Sequence, residues 1–117
     1  MPTIHDLVRA IAQREGVEAV VILGRDGLLI DARTSGELDG ELLAAMTPAI
    51  ISAAEALGQS AARGSLVTAV LEYDRGTAIV SCVSVDALML VLVHSSANVA
   101  SLLYDLRRHR ANIASLV

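Results

Sequence analysis

The chain has 117 residues, 54% of them hydrophobic but only two aromatic, Tyr73 and Tyr104, which predicts a single domain over residues 1–117 with one core of Ala, Val, Leu and Ile. Nine arginines, no lysine and 13 acidic residues give a net charge of -4; that argues against nucleic acid as a partner, because phosphate neutralisation needs a basic surface, and it removes chemistry built on a P-loop or Schiff-base lysine. The lone Cys82 permits neither an internal disulfide nor a CxxC metal site, and so much aliphatic residue on a chain that buries only about two-thirds of its unfolded surface points to self-association.

Residues 3–15 predict a helix: Ile4, Leu7, Val8 and Ile11 recur at helical spacing, Thr3 takes the N-cap, Asp6 the capping-box position, and Gly16 stops it. With His5, Asp6 and Arg9 inside it, this segment lacks the apolar run of a signal peptide. Residues 17–23 are β-branched and apolar apart from Glu18, and Arg25-Asp26-Gly27 supplies the tight turn of a hairpin into residues 28–33. After a polar loop at 36–40, Leu42, Leu43, Met46, Ile50, Ala53, Ala54, Leu57 and Ala61 repeat at helical spacing to about Arg63. Pro48 removes a hydrogen bond and costs a helix interior about 3 kcal/mol, so a kink near Thr47 is expected, or a second helical piece capped there. Residues 66–73, 77–85 and 87–93 read as three strands whose short links permit only antiparallel neighbours. Their apolar residues run nearly without alternation, so helices should cover both sheet faces. Val99, Leu102, Leu103, Leu106 and Ile113 define a last helix. The densest apolar run, 87–93, is too short to span a bilayer, so a cytoplasmic chain without membrane insertion is expected.

Residues 28–33 carry Asp31 and Arg33, charges of the kind that blunt an exposed sheet edge, whereas 66–71 carry none. If the first hairpin adds beside strand 87–93, strand 66–71 is left open, and its simplest partner is its own copy across a two-fold axis. A sheet continuous between two subunits would result.

The order α-β-β-α-β-β-β-α, with Val20-Val21-Ile22-Leu23-Gly24-Arg25-Asp26-Gly27-Leu28-Leu29-Ile30, an alanine-rich central helix, and Met89-Leu90-Val91-Leu92-Val93 leading through a Ser/Asn turn into the last helix, resembles the roadblock/dynein light chain family, and within it the bacterial gliding-motility (MglB-type) branch. The resemblance implies an α/β protein of the α+β type, profilin-like, with a five-stranded antiparallel sheet between one central helix and two terminal helices. It implies a homodimer joined by the third strand and the central helix, at about 66–71 and 42–61. It also implies a non-enzymatic platform that binds a small Ras-like GTPase and modulates its nucleotide cycle, or tethers it to a signalling or motility complex. On that reading Met46, Ile50, Ala53, Leu57, Leu66, Val67, Thr68, Ala69 and Val70 form the dimer interface, and Glu41, Ser52, Glu55 and Gln59 are candidates for the partner-facing surface. Pro48 departs from the family's pattern in the central helix.

No residue set carries recognisable catalytic or cofactor chemistry. Cys82 sits in an apolar strand without a positioned base, and reads as a small buried hydrophobe. His5, His94 and His109 lie on separate elements with no ligand spacing. The run Arg107-Arg108-His109-Arg110 reads as a solvated helix end favoured by the helix dipole rather than a phosphate or acidic-partner patch. Arg25 and Arg75 at hairpin tips read as ordinary turn charges rather than arginine fingers. The stripe Met46, Ile50, Ala53 and Leu57 reads as core, while the alanines beside it would also let a second helix approach closely. The alternative function is a small-molecule-sensing profilin-like or PAS-like domain, which would need an enclosed pocket with convergent polar groups.

Overall fold

The computed structural model describes residues 2–117. Helix α1 (Ile4–Ala12) starts at the capping box read from sequence: the Thr3 hydroxyl accepts the Asp6 N–H at 3.2 Å, and the Asp6 carboxylate accepts the Thr3 N–H at 3.0 Å. Strands β1 (Val17–Gly24) and β2 (Leu29–Thr34) form the first hairpin, followed by α2 (Gly40–Ser60). Strands β3 (Thr68–Tyr73), β4 (Gly76–Cys82) and β5 (Ala87–His94) form a meander, and α3 (Val99–Arg108) and α4 (Arg110–Ala114) end the chain. All strand pairs are antiparallel, in the order β2-β1-β5-β4-β3. The first hairpin therefore does add beside β5, and β3 is an edge.

Side chains alternate between two cores, as both faces being covered requires. Val20, Ile22, Ile79, Met89, Val91 and Val93 meet Val8 and Ile11 of α1, Leu102 and Leu106 of α3, and Ile113 of α4. On the opposite face Val21, Leu23, Val80, Cys82, Leu88 and Leu90 meet Ala44 and Ile51 of α2. Strand β4 stops at Cys82, short of the expected Val85, because the Val83 and Ser84 N–H groups both turn to the Ala87 carbonyl. The last helix is broken at His109 into α3 and α4; the like charges of Arg107 and Arg110, three positions apart, weaken helix continuity at this junction.

Pro48 does not divide α2, which runs unbroken through it. The Thr47 hydroxyl donates to the Leu43 carbonyl at 2.7 Å, a local satisfaction typical of buried threonine in helices. Gly27 in the β1–β2 turn, at φ +88°, packs here: a Cβ would lie 3.5 Å from Ala45 Cα and 3.7 Å from the Pro48 ring. At the other end of α2, the Arg63 N–H bonds the Gly58 carbonyl (2.8 Å) and the Ala62 N–H bonds the Gln59 carbonyl (3.1 Å), a Schellman cap. Its left-handed position is held by Ala62 at φ 56° rather than by glycine. Ala62→Gly should raise stability by about 1 kcal/mol, since a left-handed L-residue costs roughly 1–2 kcal/mol and glycine loses part of that gain to entropy; urea denaturation measures it.

Candidate interaction surface

The inward face of α2 is narrow, with Ala44, Thr47 and Ile51 its only fully buried residues. The opposite face carries Leu42, Met46, Ala49, Ala53 and Leu57 in solvent, with Met46 59% and Leu57 72% exposed, and Ile50 is half-buried. The stripe Met46, Ile50, Ala53 and Leu57 thus lies largely on the outer face of α2, which corrects the core alternative for these residues and leaves them on the face read as open to a second helix. By length and composition this helix would also suffice to cross a membrane, which the densest-run criterion overlooked. Its packing on the sheet and its ion-paired Glu55 describe a sheet-bound helix with an uncovered stripe instead.

The two sheet edges differ chemically. At β2 the Asp31 carboxylate accepts the Ala32 N–H at 2.9 Å and meets His5 Nδ1 at 3.1 Å, and the pairing with β1 is interrupted by a register shift between Ile22 and Leu23. A bulged edge whose amide is already bonded to a side chain resists a further strand. At β3 the Cys82 N–H donates to the Val67 carbonyl (3.0 Å), which fixes the alternation: Val67, Ala69, Leu71 and Tyr73 bond toward β4, and Thr68, Val70 and Glu72 turn their backbone groups outward. Leu66, Ala69 and Leu71 pack into the α2-side core, while Val67, Val70 and Tyr73 stand exposed. The nine expected interface positions thus fall on one helix face and one open edge that border the same core.

Glu41, Ser52 and Gln59 are exposed along α2. Glu55 is held by Arg25, whose Nη1 reaches its two carboxylate oxygens at 3.1 and 3.3 Å. Arg25 is therefore folded back on α2 rather than projecting from its turn, and its backbone N–H also bonds the Asp86 carbonyl. No local pattern could have paired these residues, thirty positions apart.

Cys82 is buried, and burial pushes its thiol above the usual range. His5 pairs with Asp31, His94 with Ser96, and His109 lies at the α3–α4 junction. Among the described residues no group of three or more His, Cys, Asp or Glu is placed to hold a metal. A cleft between β3 and α3–α4, lined by Val67, Thr68, Cys82, Leu106, Arg107 and Arg110 among others, has a volume of about 20 Å³, roughly one water. On the α1 side, Arg14 bonds Asp105 and Ser101, and the Arg14 hydrogen bond holds the Asp105 carboxyl below its ordinary range.

Comparison with known proteins agrees with this architecture. The Roadblock/LC7 domain family model matches residues 3–93, and the chain belongs to that family. It is 28% identical over 105 residues to the uncharacterized protein MJ1340 of Methanocaldococcus jannaschii, covering 87% of this chain and 89% of that one. The fold is shared with the Roadblock/LC7 domain from Streptomyces avermitilis (TM-score 0.84, 21% identity, 96% of this chain and 95% of that one). It is shared also with Myxococcus xanthus MglB (TM-score 0.87, 12% identity, 97% and 93%).

Two measurements check the local chemistry. Iodoacetamide should label Cys82 only as the chain unfolds, so native protein at neutral pH stays unmodified while protein in denaturant reacts. Asp105, its folded pKa depressed, stabilises the chain above its unfolded pKa and loses that contribution as pH falls through the folded value. Asp105→Asn should therefore flatten the acid limb of a plot of stability against pH.

Proposed function

We propose that the chain acts as a homodimer, joined through β3 and the outer stripe of α2, that serves as a non-enzymatic platform for a small Ras-like GTPase, modulating its nucleotide cycle or tethering it to a larger complex. The observation that carries the dimer is the coincidence of an unprotected sheet edge with an uncovered apolar helix face, beside one core, while the opposite edge is blocked by Asp31. An edge strand with free backbone groups and exposed Val67, Val70 and Tyr73 is an invitation to pairing, and a copy of itself is a partner always present. The alanines of α2 permit close approach of a second helix. Assembly of more than one copy also has a parallel in the fold neighbour described as MglB with tetrameric arrangement, at TM-score 0.87 and 14% identity.

The GTPase reading rests on membership of the Roadblock/LC7 family and on likeness to MglB. Exposed Glu41, Ser52 and Gln59 offer a polar surface on α2 for such a partner, with Glu55 anchored beside them by Arg25. Because Arg25 is engaged with Glu55, the platform would act by holding switch segments of the GTPase rather than by supplying this arginine to the nucleotide.

Val70→Glu sets two carboxylates near each other at the seam, and Met46→Glu places a charge on the helix stripe; each should give monomers by light scattering with a native circular dichroism spectrum. An unchanged dimer mass in both would remove this interface. Pull-downs with Ras-like GTPases loaded with GDP or a GTP analogue should show capture that depends on the nucleotide, and failure with every candidate in both states would overturn the platform reading.

A further inference from the structure

The surface beside the β3 edge carries charge that enters no ion pair among the described residues. Ala69 and Leu71 pack toward α2, so Thr68, Val70 and Glu72 share the opposite face, toward α3 and α4. On that face Thr68 borders the cleft whose far wall holds Arg107 and Arg110, three residues apart across the helix break. Both arginines are exposed, neither enters an ion pair found among the described residues, and no acidic residue lines the cleft. The neighbouring Asp105 is taken by Arg14. At the other end of β3, Glu72 is exposed and likewise outside those ion pairs.

Two-fold antiparallel pairing of β3 with its copy must join outward-facing residues to outward-facing residues. Two registers keep most of the strand overlapped. One sets Leu71 against its own copy, placing Glu72 opposite apolar Val70 and Asp74 opposite Thr68. The other sets Val70 against its own copy and Thr68 opposite Glu72. Only the second matches the surface: it covers exposed Val70 with itself, sets exposed Tyr73 across from exposed Val67, and delivers a carboxylate beside Thr68 at the mouth of the arginine cleft.

We infer that, in the dimer proposed above, each copy's Glu72 is held by Arg107 and Arg110 of the other copy, and that this pair of symmetric charge clamps fixes the strand register centred on Val70. The inference rests on the β3 seam and goes beyond it by assigning the arginines a function. The apolar contacts favour this register and supply its area, and a carboxylate facing two guanidiniums adds a preference that the register centred on Leu71 lacks.

Sedimentation equilibrium on the full chain tests this with four proteins: wild type, Glu72→Arg, Arg107→Glu with Arg110→Glu, and all three substitutions together. All altered positions are exposed, so the monomer fold should survive, as circular dichroism will show. Glu72→Arg and the arginine double variant should each raise the dimer dissociation constant about tenfold or more. The triple variant, with every pair reversed, should recover most of the wild-type affinity, and the wild-type constant should rise with salt. Equal affinity in all four, or a triple variant no tighter than its parents, would overturn the clamp. Val70→Glu separates the two ideas: if it breaks the dimer while the charge variants do not, the seam stands without the clamp, and if it leaves the dimer intact, the seam itself is wrong.

Discussion

A five-stranded sheet needs cover on both faces, and the two faces of this one are served unequally. On one side α1, α3 and α4 together bring Val8, Ile11, Leu102, Leu106 and Ile113 onto the strands. On the other side a single helix does the work, and only Ala44, Thr47 and Ile51 of α2 are fully buried. Two of those side chains are small, so α2 can lie close to the sheet, but it spends little of its apolar content in doing so. Much of the remainder, Leu42, Met46, Ala49, Ala53 and Leu57, lies on the outer face. The apolar surface left uncovered on α2 therefore comes from this imbalance in how one helix is used, more than from overall aliphatic content.

The same economy explains the small fixtures around α2. A helix with three fully buried residues gains from further anchors, and the β1–β2 turn supplies two of them. Gly27 lets that turn sit against the helix at Ala45 and Pro48, and Arg25 reaches across to Glu55 one helical stretch further on. An exposed ion pair alone contributes at most about 1 kcal/mol. Joined to a turn that lies in van der Waals contact with Ala45 and Pro48, and whose left-handed backbone at Gly27 (φ +88°) favours glycine, it fixes where α2 lies along the sheet, and hence where the outer stripe stands relative to the β3 edge.

Much of this was legible in the sequence because it rests on local chemistry. The Thr3–Asp6 capping box, the Asp-Gly turn and the unbroken apolar strands each report on neighbours within a few residues, and they led to the observed elements and to helices on both faces. The contrast between charged β2 and uncharged 66–71 marked the edges correctly for the same reason. What was not legible depends on partners distant in the chain. A helix apolar around most of its circumference does not announce which side meets the sheet, so Met46 and Leu57 read both as core and as a face for a second helix, and the structure leaves them in solvent. The Arg25–Glu55 pair joins a turn to a helix with no spacing rule to reveal it, and Asp31 shields the β2 edge through the backbone of its own neighbour. The outer stripe did leave a trace, in apolar positions 42, 46, 49, 53 and 57, whose steps of three and four define a second apolar face beside the one through Ala44 and Ile51.

Edge chemistry also bears on how such a chain avoids unlimited growth. A sheet open at both ends would add copies without closing, because each new strand exposes another edge of the same kind. Blocking β2 with Asp31, a bulge and Arg33 leaves one edge per chain, and two chains that pair through it consume both. An apolar stripe on α2 cannot impose that limit, since it is sticky toward any similar surface. In the proposed dimer, direction and closure would come instead from the backbone geometry of β3, where Thr68, Val70 and Glu72 turn their backbone groups outward, and from the charges beside it. In the dimer proposed above, affinity and specificity would be carried by different elements: the helix stripe and exposed valines would provide buried area, while the one blocked edge and the arginines beside β3 would decide how much of it is used and with whom.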